Sequence, residues 1–168
     1  MTESDKEIAG KPNRSAAGLF YGIGLPGLIL CNFSTALIAA LGTGIERELH
    51  ISHTLLGVIQ GIFFVGNAFG SVVFTSFVKK RGIKGAGLVS VALLVLGNLL
   101  SAVPLFFPIV VGRAAMGLAV SGLVLFASSV AVHAFPGRQS ALLNLIHALL
   151  AGASMMGMLT IVPLADLM

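Results

Sequence analysis

Across 168 residues, 57% are hydrophobic, only 10% are charged and the mean hydropathy is +1.02. A soluble domain of this length cannot bury so much apolar surface, which excludes an ordinary globular protein and leaves the bilayer as the solvent. The net charge of +4 needs no nucleic acid to explain it, because most of its carriers sit in short connections between apolar runs.

Residues 1–16 make a polar tail of mixed charge, whose low hydrophobicity predicts that it stays disordered. Five apolar runs follow, at about 17–43, 54–78, 85–103, 107–132 and 141–165. Each is long enough to cross a hydrocarbon layer of roughly 30 Å as a helix of about 20 residues. The runs are continuously apolar rather than alternating, and helices satisfy their own backbone groups in lipid, so helices are expected over barrel strands. The fold class is therefore all-α, a polytopic membrane bundle of about five transmembrane helices filling residues 17–168. The first run is too long for a signal-peptide core and lacks a convincing cleavage site, so it reads as a retained helix.

Asn32 and Ser34 interrupt the first run, and Cys31, the only cysteine, has no intrachain partner for a disulfide. The first connection holds Glu46, Arg47, Glu48, His50 and His53. Two histidines three apart are too few for a metal site, so a solvated loop is expected there, with Ser52 or Thr54 capping the second helix. On that helix Gly57 with Gly61, and Gly66 with Gly70, form two pairs of small residues spaced for close helix contact, as do Gly18 and Gly22 on the first. Gln60 and Asn67 lie a heptad apart on the same helix and could line an aqueous cavity or bond to a neighbouring helix. The second connection is basic, with Lys79, Lys80, Arg81 and Lys84.

The third run carries Asn98, and the uncharged segment from Val103 to Pro108 breaks the helix with two prolines. Arg113 then stands alone in a stretch from Gly85 to His133 that is otherwise without charge. A guanidinium in lipid is costly and needs a protein or aqueous partner, so it marks a functional site, with snorkelling to the interface as the plain alternative. Gly112, Gly117 and Gly122 recur around it. Asn144 and His147 fall on the fifth run, where a histidine suits proton relay or simple packing. No carboxylate lies inside any run, no enzyme or phosphate-loop motif appears, and neither a cofactor nor a metal is expected.

The loop charges set an orientation. The tail, the second connection and Arg138 in the fourth carry the basic residues, whereas the other side has Arg47 between two glutamates. A cytoplasmic N-terminus and an inner-membrane location follow. Recruitment of anionic lipid by the cluster at 79–84 is a secondary possibility.

From Leu56 through Gly70 to Lys84 the second helix and its loop resemble the signature of the major facilitator superfamily. Its glycine, acidic residue, basic residue, glycine and two basic residues map here to Thr75, Lys79, Lys80, Gly82, Ile83 and Lys84, so that Lys80, Gly82 and Lys84 match and the carboxylate is replaced. Ile109, Arg113, Gly117, Ala119 and Ser121 are similar to the family's fourth-helix motif, whose arginine is associated with proton or substrate coupling. Asn144, His147, Ala148 and Gly157 resemble a segment of the sugar-proton symporter branch. The resemblance covers residues 17–165 and implies helices one to five of a twelve-helix transporter, with Lys79, Lys80, Gly82 and Lys84 as its gating loop. Its implied function is secondary transport of a small polar or anionic solute, with proton coupling as an option. Arg113, Asn32, Gln60, Asn67, Asn144 and His147 are the implied solute or coupling residues, and Gly57, Gly61, Gly66, Gly70 and Gly117 the packing residues. No sixth helix or second half is present after Asp166, so the rest is expected from a longer chain or another membrane subunit. The competing expectation is a transporter-derived scaffold that does not transport.

Overall fold

The computed structural model describes residues 14–135 and 138–165, and among these no strand occurs. The expected tail over 1–13 lies outside the described residues. The first crossing opens with α1 (Arg14–Leu19), widens into a π-helical turn (Phe20–Gly24) and continues as α2 (Leu25–Ala40). The chain then forms α3 (Gly42–Leu49), α4 (His53–Ser101), α5 (Phe106–Ala134) and α6 (Gln139–Ala165).

A helix of 49 residues would be about 74 Å long at 1.5 Å per residue, more than twice the hydrocarbon thickness. It is therefore two spans, and the neighbours of α5 demonstrate the reversal. Gly66 approaches Ala114, Gly70 approaches Ser121, and Phe74 approaches Gly122, so the first arm runs parallel to α5. Gly87 meets Phe126, and Gly97 meets Gly112 and Met116, so the second arm runs antiparallel. The hinge is Gly82, at φ 76° and ψ 168°, a region open essentially to glycine alone. Five crossings result, as the hydropathy predicts.

Close approach of backbones holds the two arms of α4 around α5. A Cβ at Gly117 would strike the Phe63 carbonyl, one at Gly66 the Ala114 carbonyl, and one at Gly122 the Ser90 hydroxyl. Lipid tails are as apolar as leucine, so such packing, rather than hydrophobic burial, is what brings membrane helices together. Gly24 and Gly27 of the first crossing meet Ala127 and Leu123 on the other flank of α5. There Phe20, Leu28, Leu123, Phe126 and Ile146 join one buried cluster. Gly157 on α6 seats against Ala36 and Phe33 of α2.

Three expectations need correction. The first connection is not a loop throughout, because Gly42–Leu49 forms the amphipathic helix α3. His50 ends it in a left-handed conformation (φ 52°), and Ser52 caps α4 by accepting from the Leu55 N–H at 3.4 Å. The first helix begins at Arg14, inside the expected tail and ahead of the span Ala17–Ala40. The packing role expected of Gly57 and Gly61 is absent within the described residues, since a Cβ at either, or at Gly18 or Gly22, meets nothing within 4 Å. Those glycines face outward, whereas Gly66 and Gly70 face α5 and Gly117 faces α4.

Candidate functional site

Arg113 is seated two turns into α5, on the face turned toward the first arm of α4. Its side chain is 1% exposed and is the largest fully buried one described. Nη2 donates to Oε1 of Gln60 at 2.8 Å, and the guanidinium carbon lies 4.7 Å from the centre of the Phe63 ring. Gln60 and Phe63 are three residues apart and so share one face of α4. Two crossings thus meet at one cation. Snorkelling is excluded in this conformation, because the charged head is enclosed by protein.

The cation is only partly satisfied. Nε and Nη1 of Arg113 are buried with no hydrogen-bond partner, and the only ion pair among the described residues joins His53 to Glu46 at 2.7 Å on the surface. Buried polar groups are nearly always paired, and an orphaned charged donor is costly. The flat guanidinium has acceptor positions open along the edges of Nε and Nη1.

From Arg113 a polar seam descends between the first arm of α4 and α5 toward the Gly82 hinge. Ser121 Oγ lies 2.5 Å from both the backbone carbonyl and Oδ1 of Asn67. Below it, Asn67, Ser71, Thr75, Ser121 and Ser128 line an open groove of about 400 Å³. Ser71 donates to the Ala68 carbonyl at 2.7 Å and Thr75 to the Ser71 carbonyl at 2.6 Å, which settles both hydroxyls in their own helix. Ser71, Thr75 and Ser128 were not among the sequence candidates. Their signal was present, since 67, 71 and 75 recur every four residues and 121 and 128 every seven. A second cavity, of about 520 Å³, opens toward the other membrane face, where Ser34, Asn98 and Ser101 meet Glu48 and Leu49 of α3.

The remaining candidates divide. Gln60 and Asn67 join the Arg113 seam. Asn32 is half-buried on α2 and donates to the Leu28 carbonyl at 3.0 Å. Asn144 and His147 are exposed on α6 and are not brought to Arg113. In the hinge loop Lys79, Lys80, Gly82 and Lys84 are all exposed, and no ion pair engages these lysines among the described residues.

Residues 23–167 match the family model described as Major Facilitator Superfamily. No curated protein and no solved structure matches the chain. The match spans most of the sequence, and the chain belongs to the Major Facilitator Superfamily, a family of integral membrane transport proteins.

Proposed function

We propose that this superfamily member moves a small polar or anionic solute by alternating access, as part of a larger transporter. The observation that carries the reading is Arg113, enclosed in protein with Nε and Nη1 unpartnered. Such a cation persists in a membrane span because something acts on it. In the enclosed state Gln60 holds it between two crossings. When the crossings separate, its free donors meet either the solute's acceptor group or the group that carries a coupled proton. Asn67 continues the polar route, and Asn32 on α2 would join it only once the crossings part.

Further helices belong to this reading because Asn144 and His147 project from α6 away from the Arg113 seam. Polar groups at membrane depth need protein or water. The complementary half of the transporter supplies that lining, and the likeness of this segment to sugar-proton symporters suits a proton relay at His147. The loop charges support an inner-membrane location with the N-terminus in the cytoplasm. Cysteines at Ser4 and Lys84, in a background lacking Cys31, are then shielded from an impermeant thiol reagent in intact cells, and a cysteine at Glu48 is labelled. The reverse pattern overturns the orientation.

One observation favours a transporter-derived scaffold instead. Lys79 stands at the acidic position of the hinge-loop signature, exposed and without an ion pair among the described residues, so the family's charge latch has lost its anion. The test is Arg113→Lys in the complete transporting assembly. Lysine keeps the charge and loses the planar donor fork, so solute uptake is expected to fall at least tenfold with insertion and expression retained. Unchanged uptake removes Arg113 from the site. Assembly without uptake by either form supports the scaffold.

A further inference from the structure

At the end of the bundle that carries Gly82, two adjoining cavities form a single amphipathic cleft. The outer one, of about 350 Å³, has Ser15, Lys84 and His133 at its rim and Val78 and Val130 in its wall. The inner one, of about 180 Å³, is almost wholly apolar and runs inward along Ile23, Leu88 and Phe126. They share Leu19 and Lys84. A cation therefore stands where a polar mouth passes into an apolar channel, between the first crossing, the second arm of α4 and the end of α5.

We propose that this cleft holds one anionic phospholipid from the bilayer, its phosphate at Lys84 and His133 and the first part of an acyl chain in the channel. Charge complementarity selects the anion. Lys79, Lys80, Arg81 and Lys84 all lie at this end and are exposed, with no acidic residue beside them among the described residues. His133 Nδ1 donates to the Ser129 carbonyl at 2.7 Å, so Nε2 donates to the phosphate in the imidazolium form and accepts from a headgroup hydroxyl in the neutral form. The apolar channel selects a lipid over a free phosphate ester, because a soluble anion has nothing to place beside Ile23 and Phe126. A diffuse basic surface attracts anionic headgroups, but it has neither the channel nor the shared lysine.

The test uses the full chain in detergent micelles doped with phosphatidylglycerol or phosphatidylcholine, read by lipid retention in native mass spectrometry. The unmodified chain is expected to retain phosphatidylglycerol preferentially. Lys84→Gln should lower that retention roughly five- to tenfold, and Leu88→Trp, which narrows the channel from an exposed position, should lower it without removing charge. Arg138→Gln lies at the same end outside the cleft and should stay near the unmodified value. Equal losses in Lys84→Gln and Arg138→Gln overturn the proposal in favour of diffuse attraction. Equal retention of the two lipids overturns it as well, and so does displacement of phosphatidylglycerol by millimolar glycerol phosphate, which identifies a site for soluble anions.

Discussion

The crossings around α5 and the crossing formed by α6 are equally apolar and differ sharply in how they are held. Half of the α5 span is buried inside the molecule, against 17% of the α6 span. Gly66, Gly97, Gly112, Gly117 and Gly122 bring α5 and the arms of α4 into backbone contact, whereas on α6 Gly152 faces open space and Gly157 is the one glycine that meets α2, beside the buried side chains of Ile146 and Ala153. The contrast teaches that helix association here is decided by where glycine permits close approach, since hydropathy does not distinguish the two regions. It also separates the two regions by exposure: α5 is enclosed between the arms of α4 and the first crossing, and most of α6 stays uncovered.

The severest challenge to this contrast is Gly117→Leu. Its Cβ would already collide with the Phe63 carbonyl and the Asn67 amide, and backbone cannot yield as a side chain does. A loss of at least about 3 kcal/mol is expected, read as the midpoint of unfolding in detergent. Gly61→Leu, which meets open space, should change it by less than about 0.5 kcal/mol. Similar losses in both would dissolve the distinction.

Next in size is Gln60→Leu, which removes the acceptor bonded to Arg113 and leaves all three guanidinium nitrogens without a partner. About 1–3 kcal/mol of stability should be lost. Gln60→Glu, by supplying a counter-charge, should retain more stability than the leucine variant. If leucine is tolerated as well as glutamate, the cation is satisfied by water and the enclosure around it is looser than described.

Gly82→Ala tests the hinge between the arms. Its backbone conformation costs a residue with a side chain on the order of 1–2 kcal/mol, although a Cβ there has open space around it. A full-strength loss with unchanged packing partners would assign the effect to backbone strain alone. The smallest expectation falls on α6: Asn144→Ala and His147→Ala are exposed and should each move stability of this chain by less than about 0.5 kcal/mol. On the proposed function their effect falls on uptake, and a large loss in the isolated chain would show α6 to be bound more tightly than its exposure implies.

The five crossings were legible in the sequence because a bilayer demands length and apolarity and little else. Arg113 was legible too, as the only charge in a long apolar stretch. Its partner was not: Gln60 lies 53 residues away, and heptad spacing from Asn67 says nothing about which neighbour either meets. Helices apolar on every side give no periodic signal of their inner face, which is why Gly57 and Gly61 read like Gly66 and Gly70 and yet face outward. Helix α3 escaped notice because eight residues with two glutamates and an arginine resemble a polar loop by composition. The cleft at Lys84 depends on the convergence of three distant segments, and only the basic cluster beside it could be anticipated.

The π-helical turn at Phe20–Gly24 stores one residue of helical phase. An α-helix advances about 100° per residue, and a π turn accommodates an inserted residue without breaking the helix. Deleting Gly22, whose Cβ position is open, should relax the turn to ordinary α-helix while α2 keeps its seat against Ala127 and Leu123. The segment before it would then swing by roughly 100° about its own axis, carrying Ser15 and Leu19 off the Lys84 cleft. The wide turn is thus a clocking device, setting the azimuth of the first helical segment independently of the span it leads into.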